Sequence, residues 1–223
     1  MGKPLEWEDG FPIGFGHTSI AYLKRCPGYE DAKNGNLTAA QLVVNQCVKC
    51  KRLQVLREQY PDAVLLPVCG QNKLPLALAE AIGLPVWNCV FVIQSVSRKS
   101  LCAIERLMHK PGFAGDIRQD AEYILVDDVI TQGGTIAALR EFVLVQGGRV
   151  AAVVALAFAI GSHAVAPLKK HKVRLFLKFG FTLVIILREH SIAEEVHALT
   201  NSQMKYLLRF ASVGNIRERI ASI

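Results

Sequence analysis

The 223 residues are 51% apolar and carry 26 basic against 19 acidic side chains, a net charge of +7. This allows one substantial core rather than two independent domains, together with either a site built for polyanions or a surface that binds nucleic acid. The longest apolar run, Val150 to Ile160, falls short of the ~20 residues of a membrane span, and Glu6, Glu8 and Asp9 stand where a signal region would be basic and then apolar. Six cysteines without a framework spacing fit reduced thiols, so a soluble cytoplasmic protein with no membrane partner is expected, and the Asn36-Leu37-Thr38 sequon has no secretory context.

Residues 1–37 are rich in Gly, Pro and aromatics without a sustained period, which reads as an irregular N-terminal arm of short strands or turns. His17 within it is a lone loop histidine, a pattern more often incidental than functional. Thr38-Ala39-Ala40-Gln41 has the form of a capping box. The apolar spacing after it (Val43, Cys47, Cys50, Leu53, Leu56, Tyr60) predicts one amphipathic helix to about Gln59, closed by Pro61. Cys47-Val48-Lys49-Cys50 has the spacing of half a zinc site or a redox pair. No second such pair exists in the chain and both sulfurs fall on the apolar stripe, so core packing is expected.

A buried strand over 63–68 leads into Cys69-Gly70-Gln71-Asn72-Lys73 and a helix from Leu74 to Ile82. That order puts Gly70, Gln71, Asn72 and Lys73 at the carboxyl edge of a sheet, the ligand edge of open α/β folds. Val86 to Ile93 reads as a third strand. The connection from Gln94 to Gln119 is long and basic, with Arg98, Lys99, Arg106, His109, Lys110 and Arg118, and has room for a helix over 101–109.

Tyr123 to Thr135 carries the most information. An apolar β-branched run ends in two carboxylates, Asp127 and Asp128, and is followed by Val129, Ile130 and the turn Thr131-Gln132-Gly133-Gly134-Thr135, which opens a helix. Amides freed at that helix start, with glycines allowing close approach and two threonine hydroxyls, suit a phosphate monoester, while paired carboxylates beside it suit vicinal hydroxyls or hydrated Mg²⁺. A ribose 5-phosphate combines these features. No Gly-Lys-Thr/Ser follows and the G-x-G-x-x-G spacing is absent, which excludes a Walker A loop and a Rossmann fingerprint.

The stretch resembles the phosphoribosyl pyrophosphate (PRPP) motif of type I phosphoribosyltransferases: four apolar residues, two acids, two apolar residues, Thr, any residue, Gly, Gly, Thr. The resemblance covers roughly residues 60–190. It implies an open parallel sheet flanked by helices, a 5-phosphate on Thr131 to Thr135, catalytic roles for Asp127 and Asp128, and a pyrophosphate loop at Gly70 to Lys73. Arg98-Lys99 resembles the pair that opens the mobile catalytic loop of adenine and orotate members, without the further lysine those families place nearby. The implied reaction is Mg²⁺-dependent transfer of the phosphoribosyl group to a base, with closure of the 94–119 loop excluding water. Mg²⁺ is expected to arrive mainly on PRPP and water near Asp127 and Asp128, with no protein-only metal site. In 6-oxopurine members an aspartate base stands at the position of Thr131, which argues against hypoxanthine or guanine and leaves adenine-type, pyrimidine-type and orphan acceptors open. The rival expectation is a PRPP-sensing regulator that binds nucleic acid, for which the +7 charge and the basic tail (Lys205, Arg209, Arg217, Arg219) speak; no helix-turn-helix or RNA motif supports it.

After the motif, a helix over 135–145 ends at Gln146-Gly147-Gly148, a left-handed C-cap signal, and Arg149 to Ile160 is another strand. Val173, Leu175, Leu177 and Phe179 alternate with charged residues and predict a partly exposed strand, and Phe181 to Leu187 a buried one. In the tail, capping boxes at Ser191 and Thr200 predict two short helices broken at Gly214-Asn215, with a final stripe of Ile216, Ile220 and Ile223. The expected organisation is the arm 1–37, an α/β domain 38–190 and a helical extension 191–223 that packs on the protein, as a hood over the base, a homodimer surface or a nucleic-acid appendage.

Overall fold

The computed structural model describes Trp7, Phe11, Pro12 and residues 14–93 and 101–223. Its centre is a parallel sheet whose strands are buried on both faces, as their near-continuous Val, Leu, Ile and Ala runs require. The first strand, β1 (Phe15–Thr18), comes from the segment expected to be irregular, and two short helices, α1 (Ile20–Leu23) and α2 (Tyr29–Lys33), follow it. Ser19 caps α1 by accepting the Tyr22 N–H, and Gly28 enters α2 at φ 82°, a conformation that disfavours any side chain.

The single helix expected over 38–59 is two, α3 (Leu37–Cys47) and α4 (Cys50–Gln59). Asn36, not Thr38, caps α3 by accepting the Ala39 N–H at 3.0 Å. Val48 and Lys49 are extended, and the Lys49 N–H this exposes is taken by His17 Nδ1 at 3.2 Å, so the break is stabilised from β1. Cys47 is buried, with its sulfur 3.5 Å from that of Cys26, whereas Cys50 is exposed; the expectation that both sulfurs pack in the core holds for Cys47 alone.

β2 (Val64–Pro67) and α5 (Leu74–Ile82) follow. β3 (Val90–Ile93) does not enter the main sheet as a ladder strand. It pairs antiparallel with β4 (Gly112–Gly115), and α6 (Ala103–Met108) lies between the two in the chain. β5 (Glu122–Ile130), α7 (Gly134–Val145) and β6 (Arg149–Phe158) complete the sheet, in the order β1-β6-β5-β2 with every pairing parallel. One face packs on α3 and α5 through Leu65, Ile124, Val126 and Val154, the other on α7 through Leu66, Leu125, Val153 and Leu139. This is an α/β architecture with a four-stranded parallel sheet between helices.

The strands expected over 173–187 are one helix, α8 (Lys169–Glu189), bent at Gly180, where φ is 56° and ψ −153°. Its buried residues, His171, Leu175, Phe179, Leu183 and Ile186, recur every three or four positions. Of the four residues that suggested alternation, Leu175 and Phe179 are on this stripe and Val173 and Leu177 lie off it; Leu177 is 78% exposed, and Phe181, expected to be buried, is 75% exposed. Ser191 sits at φ 52° in a turn and starts no helix. Thr200 does, with a reciprocal capping box to Gln203 that opens α9 (Asn201–Leu207). α10 (Val213–Ala221), capped by Ser212, runs through Gly214-Asn215 without a break. These tail helices form a third cluster with α8 and with Ile104 and Leu107 of α6. No described helix is long and apolar enough to cross a membrane.

Candidate functional site

β5 carries Asp127 and Asp128 inside its span rather than at its end: the strand continues to Ile130, with Asp127 opposite Ala155 and Val129 opposite Ala157. Gly133 then turns at φ 74° to release α7. A Cβ on Gly133 would stand 3.3 Å from Thr200 Cγ2 and 3.4 Å from Val165 Cγ1, so the turn is closed from behind by the chain around α9. The Thr200 hydroxyl also donates to the Gln132 carbonyl at 2.5 Å, and the Asn201 N–H to the Val165 carbonyl at 3.0 Å. The turn is therefore held by tertiary bonds.

A cavity of about 710 Å³ opens in front of it. Its wall includes Asp127, Asp128, Thr131, Gln132, Gly133, Gly134 and Thr135, with Gly70, Gln71 and Asn72 from the loop after β2. Lys73 is not part of this wall. It begins α5, and its ammonium turns back to the Gly70 carbonyl at 3.2 Å. Arg98 and Lys99 lie outside the described residues. The described part of the connection, residues 101–119, is not a free loop, because β4 is paired and α6 buries Ile104 and Leu107 completely.

The acid pair has an unforeseen partner. Lys33, at the end of α2, donates to Asp128 Oδ2 at 2.8 Å, with its side chain 22% exposed. Burial works against the Lys33 ammonium, but the Asp128 carboxylate, by charge and by hydrogen bond, outweighs it and raises the lysine above its ordinary range. Tyr29, one turn earlier on the same face, is raised by burial and then by Asp128. Asp127 is buried, at the cavity wall. Burial drives its carboxyl well above the carboxylate range and Asp128 pushes the same way, while the Asp128 N–H, donated to Asp127 Oδ1 at 2.8 Å, pulls against both. The two carboxyls are thus unequal: Asp128 is a salt-bridged carboxylate, and the surroundings of Asp127 favour its protonated form.

Sequence reasoning missed Lys33 and Tyr29, together with Ile20 and Lys24 of the same wall. The only local signal is the i, i+4 spacing of Tyr29 and Lys33 after Gly28. What places them is tertiary: the Lys73 N–H donates to the Ala32 carbonyl at 3.0 Å and stitches α2 to the 69–73 loop. Arg106 of α6 also lines the cavity. His17 is not part of it. Its ring is buried beneath α4 and lowered to about 4, first by burial and then by Arg52 and Lys49, so it is neutral at physiological pH.

No group of three or more His, Cys, Asp or Glu among the described residues is arranged to hold a metal ion. With Asp128 already paired to an ammonium, the acid pair does not make a resident divalent site by itself. A cation reaching this cavity on the phosphates of a ligand is compatible with the wall.

No family model matches the chain. An uncharacterized protein of Haemophilus influenzae is 30% identical over 150 residues, 62% of this chain and 34% of that protein. Protein TraN of Escherichia coli is 28% identical over 227 residues, 97% of this chain and 50% of TraN. The chain thus spans half or less of these curated relatives. Among solved structures, it is similar to a purine phosphoribosyltransferase from Pyrococcus horikoshii at 23% identity and TM-score 0.34, over 49% of this chain and 70% of that one. It is also similar to the adenine phosphoribosyltransferase of Saccharomyces cerevisiae, at 20% identity and TM-score 0.36, over 56% of this chain and 71% of that one.

Proposed function

We propose that the protein is a phosphoribosyltransferase that uses PRPP with Mg²⁺, passing the phosphoribosyl group to a nucleobase or related acceptor and releasing pyrophosphate. The observation that supports this reading is the union, in one cavity, of the Gly133–Thr135 turn, the Asp127/Asp128 pair and the Gly70–Asn72 loop.

In this reading the amides of Gly133, Gly134 and Thr135 and the hydroxyls of Thr131 and Thr135 hold the 5-phosphate. Asp127, protonated, donates to one ribose hydroxyl while Asp128 accepts from its neighbour. Gly70, Gln71 and Asn72 face the diphosphate. The bond from C1 to the diphosphate oxygen breaks with its electron pair leaving on the diphosphate. The acceptor nitrogen supplies the pair for the new bond to C1 and releases its proton to solvent or to the departing diphosphate. Positive charge that develops on the sugar in between is offset by the Asp128 carboxylate. Mg²⁺ carried in by the diphosphate supplies neutralisation of the leaving group. Three of the four tail cations that suggested a nucleic-acid regulator make exposed contacts with the protein itself: Lys205 with the Gly161 carbonyl, Arg217 with Glu189, and Arg219 with Ser222 and Cys102.

The test is pyrophosphate release from PRPP across a panel of purine and pyrimidine bases, with an Asp127→Asn/Asp128→Asn variant as blank. Release with at least one base, abolished in the variant, is expected. PRPP binding without release from any base would replace the enzyme with a sensor, and no PRPP binding would end the phosphoribosyl reading.

A further inference from the structure

The cradle at Gly133–Thr135 consists of amides and hydroxyls, yet it sits beside two carboxyls and is meant for a group carrying nearly two negative charges. Three cations line the cavity, Lys24, Lys33 and Arg106. Lys33 is consumed by Asp128. Lys24 is exposed at the end of α1. Arg106 is different on both counts, because its Nε is buried and has no hydrogen-bond partner among the described residues. A buried guanidinium donor left unpaired costs stability, and such a group in a cavity wall is the mark of a missing acceptor.

Arg106 is also connected to the phosphate turn. Gln132 Nε2 donates to the Ala103 carbonyl at 3.3 Å, which fixes the start of α6 against the residue that precedes Gly133. On its other side α6 is anchored by Ile104 and Leu107, fully buried among Leu175, Phe179, Ile216 and Ile220 of α8 and α10. The tail therefore grips the turn twice, through Thr200 on the Gln132 carbonyl and through α6 on the Gln132 side chain.

We infer that Arg106 is the phosphate-binding cation of this cradle, and that the C-terminal helices are the platform that holds it there. The inference rests on reading 131–135 as a phosphate turn. It assigns the extension a role inside the site, in place of a hood, a dimer surface or a nucleic-acid appendage. The Nε–H and one terminal N–H of Arg106 match the fork geometry that pairs with two oxygens of a phosphate, which a lysine does not reproduce. Gln132 Oε1, buried without a partner in the same region, is left to accept from a protonated phosphate oxygen or a bridging water.

The experiment follows the Arg106 side-chain Nε–H by ¹⁵N NMR and measures affinity by calorimetry, in wild type, Arg106→Gln and Arg106→Lys. The probes are ribose 5-phosphate, PRPP and inorganic phosphate, with ribose as the uncharged control. The expected result is a shifted Arg106 resonance on adding ribose 5-phosphate and an affinity lowered about 10- to 100-fold in Arg106→Gln, the size of one charge-assisted bond. Arg106→Lys, which keeps the charge and loses the fork, is expected to fall between the two. Undiminished ribose 5-phosphate affinity in Arg106→Gln would overturn the assignment. A wild type that ignores ribose 5-phosphate and PRPP, but whose Arg106 resonance responds to inorganic phosphate, would remove the phosphoribosyl reading and leave the anion site standing. An Arg106 resonance unmoved by every phosphate would remove the anion site as well.

Discussion

Acidification should strip stability from the fold through His17, and the size of the effect follows from its surroundings. The ring is 2% exposed, its Nδ1 accepts the Lys49 N–H at 3.2 Å, and it stands near the cations Arg52 and Lys49. Protonation would place a charge in this enclosed position and remove the acceptor that caps α4. Folding lowers the ring from 6.5 to about 4. Above pH 6.5 both folded and unfolded states hold it neutral, so its contribution is complete. As pH falls below 6.5 the unfolded chain takes up a proton that the folded protein refuses, and the loss accumulates until about pH 4. At about 1.4 kcal/mol per unit, the interval corresponds to a loss of about 3 kcal/mol. The assay is urea unfolding between pH 7.5 and 4.5 of wild type and His17→Gln, whose amide oxygen can take the Lys49 N–H and does not titrate. Wild type should lose about 2.5 kcal/mol relative to the variant by the acid end of that range. A difference constant to within about 0.5 kcal/mol, or a His17 ring titrating near 6.5 in the native protein, would refute the reasoning.

Lys33→Met should destabilise the fold by about 2–4 kcal/mol, somewhat below the figure for a fully enclosed pair because the lysine is partly exposed, and adding Asp128→Asn should recover part of that loss. Simply additive losses in the double variant would show that the pair is not coupled. Gly133→Ala should cost about 1–2 kcal/mol, since the left-handed turn disfavours a side chain and Thr200 stands behind it; it should also weaken ribose 5-phosphate binding, and an unchanged affinity would mean that the turn does not contact the phosphate. Leu107→Ala should cost about 2–5 kcal/mol and speed amide exchange in α6, α9 and α10 more than in β5 and β6. Uniform acceleration across the sheet would show that the third cluster does not open separately.

The parts legible in the sequence are those whose determinants are local. α5 has the bounds its pattern predicted, and the 149–160 strand contains β6. The Tyr123–Thr135 strand, turn and helix were readable because apolar run, Gly pair and helix start are contiguous. α8 was misread because Val173 to Phe179 satisfies a period of two as well as four, and which residues are covered is settled by the tail helices. Lys33 was invisible for another reason. α2 has five residues, too few for a period, and its position depends on the Lys73 N–H reaching the Ala32 carbonyl. Arg106 was visible only as one of several bases in a long connection; its burial and its link to Gln132 are tertiary. Lys73 shows the converse, a residue placed by position at the ligand edge whose ammonium bonds instead to its own loop at Gly70.

The ion pair between Lys33 and Asp128 joins residues 95 positions apart. During vectorial synthesis the lysine is therefore made long before the carboxylate that neutralises it, and until β5 emerges α2 is held by its packing on α3 and its stitch to the 69–73 loop. β1 waits longer, since its one sheet neighbour is β6. The first third of the chain accordingly has no finished site to settle into. A nascent fragment ending before residue 128 carries a hydrated ammonium where the finished protein has a partly buried pair, so the site closes only once the second half of the chain is made.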